Sequence, residues 1–290
     1  MILDGHIHIY ADRKGRPRNS PSEFMKRLGQ AGVDGGIVIS IAPPGHKAFG
    51  DPVMANARLE DVLGVCEAAA GSPGQPGLYP FFWIDPMEPD AIEQVDEAVK
   101  RGVAGFKVIC HAYEPGAPRA MEVFGRIASK NKPILFHSGI LWDNTASSQY
   151  NRPVLFERLI EIEGLRFALA HIAWPWCDEL VAVYGKFATN LRVRHSTAEM
   201  FVDTTPGTPP IYRRDALRKL FKAGMAPGDV VLFRVEDNVF FGTDRSVNRF
   251  DVEGVRDLIA LDREILDELS LDETTQEAYF SRNLLRFLGE

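Results

Sequence analysis

The chain opens with MILDGHIHIY (residues 1–10), an isoleucine-rich run that carries two histidines one residue apart. The run reads as a β-strand, on which His6 and His8 project from one face and Ile7 and Ile9 from the other. An open doubly wound sheet usually follows its first strand with a glycine-rich turn. Here His-Ile-His-Ile-Tyr stands in that place. Whether the pair is two polar residues on a strand or half of a metal site depends on where the other strands end.

Seven more β-rich runs follow: VDGGIVISIAP (33–43), GLYPFFWIDP (77–86), VAGFKVIC (103–110), KPILFHSG (132–139), LRFALAHIA (165–173), EMFVDTT (199–205) and NVFFGTD (238–244). Most are nearly continuous apolar runs, as parallel strands covered by helices on the outside should be. Helical patterning separates them at 20–32, 55–71, 88–102, 118–130, 151–163, 176–187, 212–224 and 252–269. Ser20 or Ser22 can cap the first of these helices and Gly71 can stop the second. Eight β-α alternations predict a closed (β/α)8 TIM barrel, class α/β, as one domain over residues 1–290. A last helical segment, 272–290, is expected to pack outside or under the barrel.

Composition excludes several classes. A net charge of −7 argues against nucleic acid as a partner, because phosphate binding needs a dominant basic face. The basic run DRKGRPR (12–18) goes against that trend, as a solvated loop or as an arm attracting an anionic substrate. No apolar run approaches the roughly 18 residues of a membrane span, and no signal peptide is evident, so the expectation is a cytoplasmic protein. The three cysteines, Cys66, Cys110 and Cys177, are odd in number and lack Cys-x-x-Cys spacing, which points to free thiols in a reducing compartment. A homo-oligomer is expected only as a common habit of barrel enzymes.

In a barrel, chemistry sits at the C-terminal ends of the strands. His6, His8, His137 and His171 lie at the ends of predicted strands one, five and six, and Asp244 ends the eighth. Taken singly, each histidine reads as a hydrogen-bonded core residue and the aspartate as a turn residue or helix cap. If the strands close into a barrel, the five meet on one rim. Imidazole with one carboxylate suits Zn²⁺, and also Mn²⁺, Fe²⁺ or Co²⁺.

At this point the chain resembles the amidohydrolase superfamily, and within it the amidohydrolase-2 branch of metal-dependent barrel hydrolases and decarboxylases. The resemblance runs from DGHIH through FHSG, ALAHIAWPW and FGTD to the terminal NLLRFLG. It implies that His6, His8, His137 and Asp244 bind one divalent metal ion, Zn²⁺ first among candidates. It further implies that His171 is a catalytic acid/base or a ligand to a second metal, and Asp244, between such an ion and its water, is the candidate general base. Lys107 matches the position at which some members of the superfamily carry a carbamylated lysine.

Arg245, next to Asp244, is a candidate for binding a substrate carboxylate. Trp142, Trp174 and Trp176, with Tyr150, fall in the loops after strands five and six and are expected to wall a substrate pocket, to which Asn144 and Gln149 nearby could supply hydrogen bonds. His111 shares strand parity with Lys107, His46 lies in the loop after strand two, and His195 precedes strand seven. The leading expectation is a metal-dependent hydrolase that uses a metal-activated water to cleave a C–O or C–N bond in a small, cyclic or carboxylated substrate. The alternatives are a non-oxidative decarboxylase on the same ligands and a catalytically silent barrel that binds a partner.

Overall fold

The main sheet has nine strands and is parallel throughout. The computed structural model describes residues 1–11, 19–46, 49, 51–68, 77–193, 197–226 and 230–290. The basic run 12–18, Gly71 and His195 lie outside the described residues. Strands β1 (Leu3–His8), β2 (Gly35–Ile39), β3 (Leu78–Trp83), β4 (Gly105–Val108), β5 (Ile134–Phe136), β6 (Arg166–Leu169) and β7 (Glu199–Asp203) each pair with the next. Helices α1 (Pro21–Gln30), α2 (Ala55–Ala68), α3 (Ala91–Lys100), α4 (Pro118–Ser129), α5 (Cys177–Val193), α6 (Pro210–Lys222) and α7 (Val252–Glu268) alternate with them. Ser20 caps α1, accepting from the Glu23 amide at 3.2 Å. The helix expected at 151–163 is wound instead as a 3-10 helix, Pro153–Glu161. A short antiparallel hairpin, β8 (Met225–Ala226) with β9 (Val230–Val231), was not foreseen from the sequence.

The eighth barrel strand is split. Its first part, β10 (Val239–Phe240), pairs with β7, and its second, β11 (Arg245–Ser246), pairs with β1. Between them the chain stays bonded to β1, with Gly5 N donating to Phe241 O and Asp244 N to His6 O, both at 2.9 Å. The eighth strand therefore closes the barrel. It does not run unbroken to Asp244 as expected, because Asp244 takes a left-handed backbone (φ 56°) inside the break.

Alternation along the strands separates two apolar layers. Ile7, Val38, Phe82, Phe106, Phe136 and Phe167 face outward into the layer filled by the helices. Leu3, Ile37, Ile39, Phe81, Trp83, Leu135, Phe201 and Phe240 fill the barrel interior. The C-terminal segment, α8 (Glu273–Glu277), a π-helical turn and α9 (Asn283–Leu288), does more than lie against the barrel. Its Leu284 and Phe287 join the interior layer, and the Phe287 ring stands 5.2 Å from those of both Phe201 and Phe240. It enters from the bottom, where Arg166 and Glu199 at the starts of β6 and β7 bond to Phe287 O and Arg286. This leaves the C-terminal ends of the strands as the open rim. No helix among the described residues is long and apolar enough to cross a membrane.

Candidate metal centre

Strand parity brings His6 and His8 to the inner face of β1, past a register irregularity between Asp4 and Ile7, and both are buried, as is Asp4. His6 Nε2 and His8 Nε2 stand 3.0 Å apart. Asp244 Oδ1 closes the group at 3.3 Å from His8 Nε2 and 3.8 Å from His6 Nε2. Two imidazole nitrogens and one carboxylate oxygen thus converge at the floor of a cavity of about 280 Å³. His137 and His171 line the same cavity, with ring centroids 4.8 Å apart and His171 5.4 Å from His6. They stand beside the triad of donors and outside it.

Two carboxylates missing from the sequence reading hold this arrangement. Asp203, the last residue of β7, meets His6 Nδ1 at 2.6 Å, so His6 donates from Nδ1 and turns the Nε2 lone pair toward His8 and Asp244. Asp203 in turn accepts from the Thr205 amide and hydroxyl. Asp4 accepts from the His6 amide, the Thr243 amide and the Thr243 hydroxyl, tying the break in the eighth strand to β1 and fixing the approach of Asp244. Asp203 was accessible to a strand-end argument, since it lies at the end of a predicted strand; Asp4 was not accessible to parity, because the register of β1 shifts between Asp4 and Ile7. Gly242 keeps the space between these groups open, since a Cβ there would sit 2.2 Å from Thr205 Oγ1 and 2.8 Å from Asp203 Oδ1.

The backbone is strained at the functional groups. His171, Ile172 and Ala173 are consecutive non-glycine residues with positive φ (64°, 47° and 50°), and Asp244 is a fourth. Such conformations cost on the order of 1–3 kcal/mol each and persist where the surroundings impose them. They aim His171 and Asp244 into the cavity.

The donor set fits a divalent cation. His137 Nε2, His171 Nδ1 and His8 Nδ1 are buried without a hydrogen-bond partner, a costly condition for ring nitrogens unless a ligand or ion satisfies them. Burial first, then the Lys107 charge, holds His6 well below the ordinary histidine pKa, and burial with the His171 charge does the same for His137. Both are therefore neutral and able to ligate at neutral pH. For Asp244, burial pulls upward, but the His8 hydrogen bond and the surrounding histidines outweigh it and hold the carboxyl well below its usual range. Lys107 Nζ lies 3.4 Å from His6 Nε2, and burial brings its pKa down to about 8 against the pull of Asp203 and Asp244.

These shifts predict an acid-sensitive apoprotein. Burial lowers His6, His46, His137 and His171. The unfolded chain binds protons on them near pH 6.5 while the folded chain does not, so their contribution is present above that pH and is lost as pH falls. Asp4 and Asp203, raised by burial to about 7 and about 6, act with the opposite sign, because their folding penalty is relieved as they protonate. The histidines outnumber them. The urea midpoint of chelator-treated protein is expected to be lower at about pH 5.5 than at about pH 7.5, at constant m-value. An equal or higher midpoint at the acid pH would contradict the histidine assignment.

Other site residues part company. Trp142, 79 % exposed, reaches over the cavity. Trp174 stacks on Tyr212 and Trp176 lies under Arg152, and neither lines the cavity, because the three left-handed residues 171–173 turn the chain before them. Asn144, Gln149 and Tyr150 are also absent from its lining. Arg245 faces Asp251 at 3.4 Å and does not line the cavity that Asp244 enters. The aromatic wall is made by Tyr10, Phe49 and Trp83 with Trp142. Tyr10 stacks on His8 at 5.5 Å. Among the described lining residues Lys107 is the one lysine or arginine.

A family model described as Amidohydrolase matches residues 3–289. The chain belongs to the amidohydrolase family. Amidohydrolases are metal-dependent hydrolytic enzymes, and this chain is an enzyme of that type with a donor group able to hold the ion. Solved structures share its fold. An amidohydrolase from Burkholderia multivorans with bound zinc matches at TM-score 0.67 and 11% identity, covering 100% of this chain and 99% of that one. A D-hydantoinase from Thermus sp. matches at TM-score 0.60 and 14% identity over 99% and 70%. A probable 2-pyrone-4,6-dicarboxylic acid hydrolase from Acinetobacter baumannii, with citric acid bound, matches at TM-score 0.59 and 12% identity over 100% and 99%. No curated protein matches the chain by sequence.

Proposed function

We propose that this amidohydrolase opens a small cyclic ester or amide by addition of water, with one divalent ion, zinc first, held by His6, His8 and Asp244. His137, whose partnerless Nε2 lines the same cavity, is the further donor. The observation that carries the reading is the convergence of two imidazoles and a carboxylate under an aromatic-walled cavity of about 280 Å³. That volume suits a substrate of about one ring. A bound ion supplies a Lewis acid that polarises a carbonyl and makes water acidic near neutral pH.

Asp244 does the proton work. Its carboxyl is ionised at neutral pH and its side chain is 36% exposed toward the cavity, so it takes the proton of the attacking water and returns it to the leaving oxygen or nitrogen. His171 is kept neutral by burial and presents ring nitrogen to the cavity, where it orients the water or the carbonyl. Asp203 holds the His6 tautomer. Tyr10, Phe49, Trp83 and Trp142 sandwich a planar ring.

Hydrolysis is favoured over decarboxylation because no guanidinium lines the described part of the cavity to anchor a carboxylate, Arg245 being paired with Asp251. The test is a screen of metal-loaded protein against lactones, cyclic amides and carboxylated aromatics. Ring opening with gain of one water is the expected result. Release of CO₂ would replace the proposal with a lyase. Turnover of none of them, in protein that binds no metal, would leave a binding barrel.

A further inference from the structure

The loops after β2, β3 and β4 bring a second group of metal-type donors together. We propose that His46, Asp85 and His111 form a separate divalent transition-metal site that clips these three loops to one another. Their ligand atoms lie within 4.8 Å of one another, and the two imidazole centroids are 4.1 Å apart. A tetrahedral zinc ion with bonds of about 2.0–2.1 Å spaces its ligand atoms by about 3.4 Å, so small side-chain rotations close the group.

Independent observations separate this group from an ordinary polar cluster. His46 is 5% exposed and its Nε2 has no hydrogen-bond partner, nor has His111 Nδ1. No hydrogen bond or ion pair joins the three side chains, although a histidine–aspartate pair would be the simplest way to satisfy them. Asp85 spends Oδ1 on the Met87 amide at 2.9 Å. Gly45 keeps the cradle open, since a Cβ there would stand 3.1 Å from Asp85 Oδ2 and 3.6 Å from His111 Nε2. Burial pushes His46 down to about 3, so it offers a lone pair at neutral pH. The opposing charge is Arg58 on α2, which bonds Trp83 O and is balanced by Glu88, Asp85 and Asp90. Two imidazoles and one carboxylate, with His111 partly exposed to leave a position for water, select Zn²⁺, Co²⁺, Ni²⁺ or Cu²⁺ over Mg²⁺ or Ca²⁺.

The site is distinct from the first, with the Trp83 indole between them at 5.7 Å from the His8 ring and 5.3 Å from the His46 ring. Phe49, which packs on both Trp83 and His46, also lines the catalytic cavity. An ion here would hold the aromatic wall against which the substrate lies.

The experiment strips the full-length protein with chelator, reloads it with Zn²⁺ or Co²⁺, and counts bound equivalents by elemental analysis in wild type, His111→Ala, Asp85→Asn, Asp244→Asn and His111→Ala/Asp244→Asn. His111→Ala and Asp85→Asn are each expected to lose one equivalent relative to wild type and keep the rest. The double variant should lose more than either parent, and the Co²⁺ visible spectrum should split into two additive components. Circular dichroism checks that each variant is folded. Folded His111→Ala and Asp85→Asn proteins with wild-type stoichiometry would overturn the proposal. Asp244→Asn is expected to lose the other equivalent and keep this one; wild-type stoichiometry in that variant would count against the catalytic centre and leave this site standing.

Discussion

Asp244→Asn is expected to lower kcat/KM by about 10²–10⁴-fold, the range lost with a positioned general acid/base, and to weaken metal retention alongside it. The carboxylate has two tasks in this geometry. Its Oδ1 completes the group with His6 and His8, and its charge receives a proton. An amide of the same size does neither well. The substitution is also mild for the fold. Asparagine tolerates the left-handed backbone that residue 244 adopts at φ 56°, and the side chain faces the cavity instead of the core. Circular dichroism should therefore stay close to wild type while turnover falls. An Asp244→Asn protein with undiminished kcat/KM on any substrate the wild type hydrolyses would show that the proton moves by another route.

Asp262→Ala is expected to destabilise the fold by about 3–5 kcal/mol, the usual cost of leaving a buried charge unpaired. Arg213 on α6 and Asp262 on α7 are both fully buried and meet in two parallel bonds of 2.6 Å. Arg213 also donates to Thr204 O at 2.7 Å, and the Tyr279 hydroxyl lies 2.6 Å from Asp262 and 2.7 Å from Thr204 Oγ1. Removing the carboxylate strands a guanidinium in a dry site and loosens the residue next to Asp203. Urea unfolding would read the loss as a lower midpoint at unchanged slope. Replacing both partners, as Arg213→Met/Asp262→Leu, should recover most of the stability because no charge is then left alone. A single Asp262→Ala variant as stable as wild type would mean that water reaches Arg213.

Local sequence carried far because the barrel's layers are written in short-range patterns. Apolar runs such as PILF and FALA report strands covered by helices on the outside, and the Ser20 cap and the amphipathic spacing of Phe24 and Leu28 report α1. The histidine order along strands one, five and six placed those residues at one rim once closure was assumed. What escaped depends on pairing across long separations. Asp203 matters because it meets His6, 197 residues away, and Asp4 because it meets Thr243, 239 residues away. Trp174 looked like a pocket wall only as long as the chain after His171 was taken to continue without a turn. The final segment could be placed outside or under the barrel but no more finely, because its amphipathic face does not say whether the complementary surface is a barrel's flank or its bottom.

The sequence by itself determined the strand and helix alternation, the inward parity of His6 and His8, and the chemical type of the rim, because each follows from side-chain spacing along one segment. The tertiary structure alone decided which donors converge, that Asp244 turns inward and Arg245 outward, that Leu284 and Phe287 plug the barrel, and that His46, Asp85 and His111 stand together. Those outcomes are set by distances between segments far apart in the chain. Barrel closure brings such segments within bonding range, and no local pattern encodes the register at which they meet.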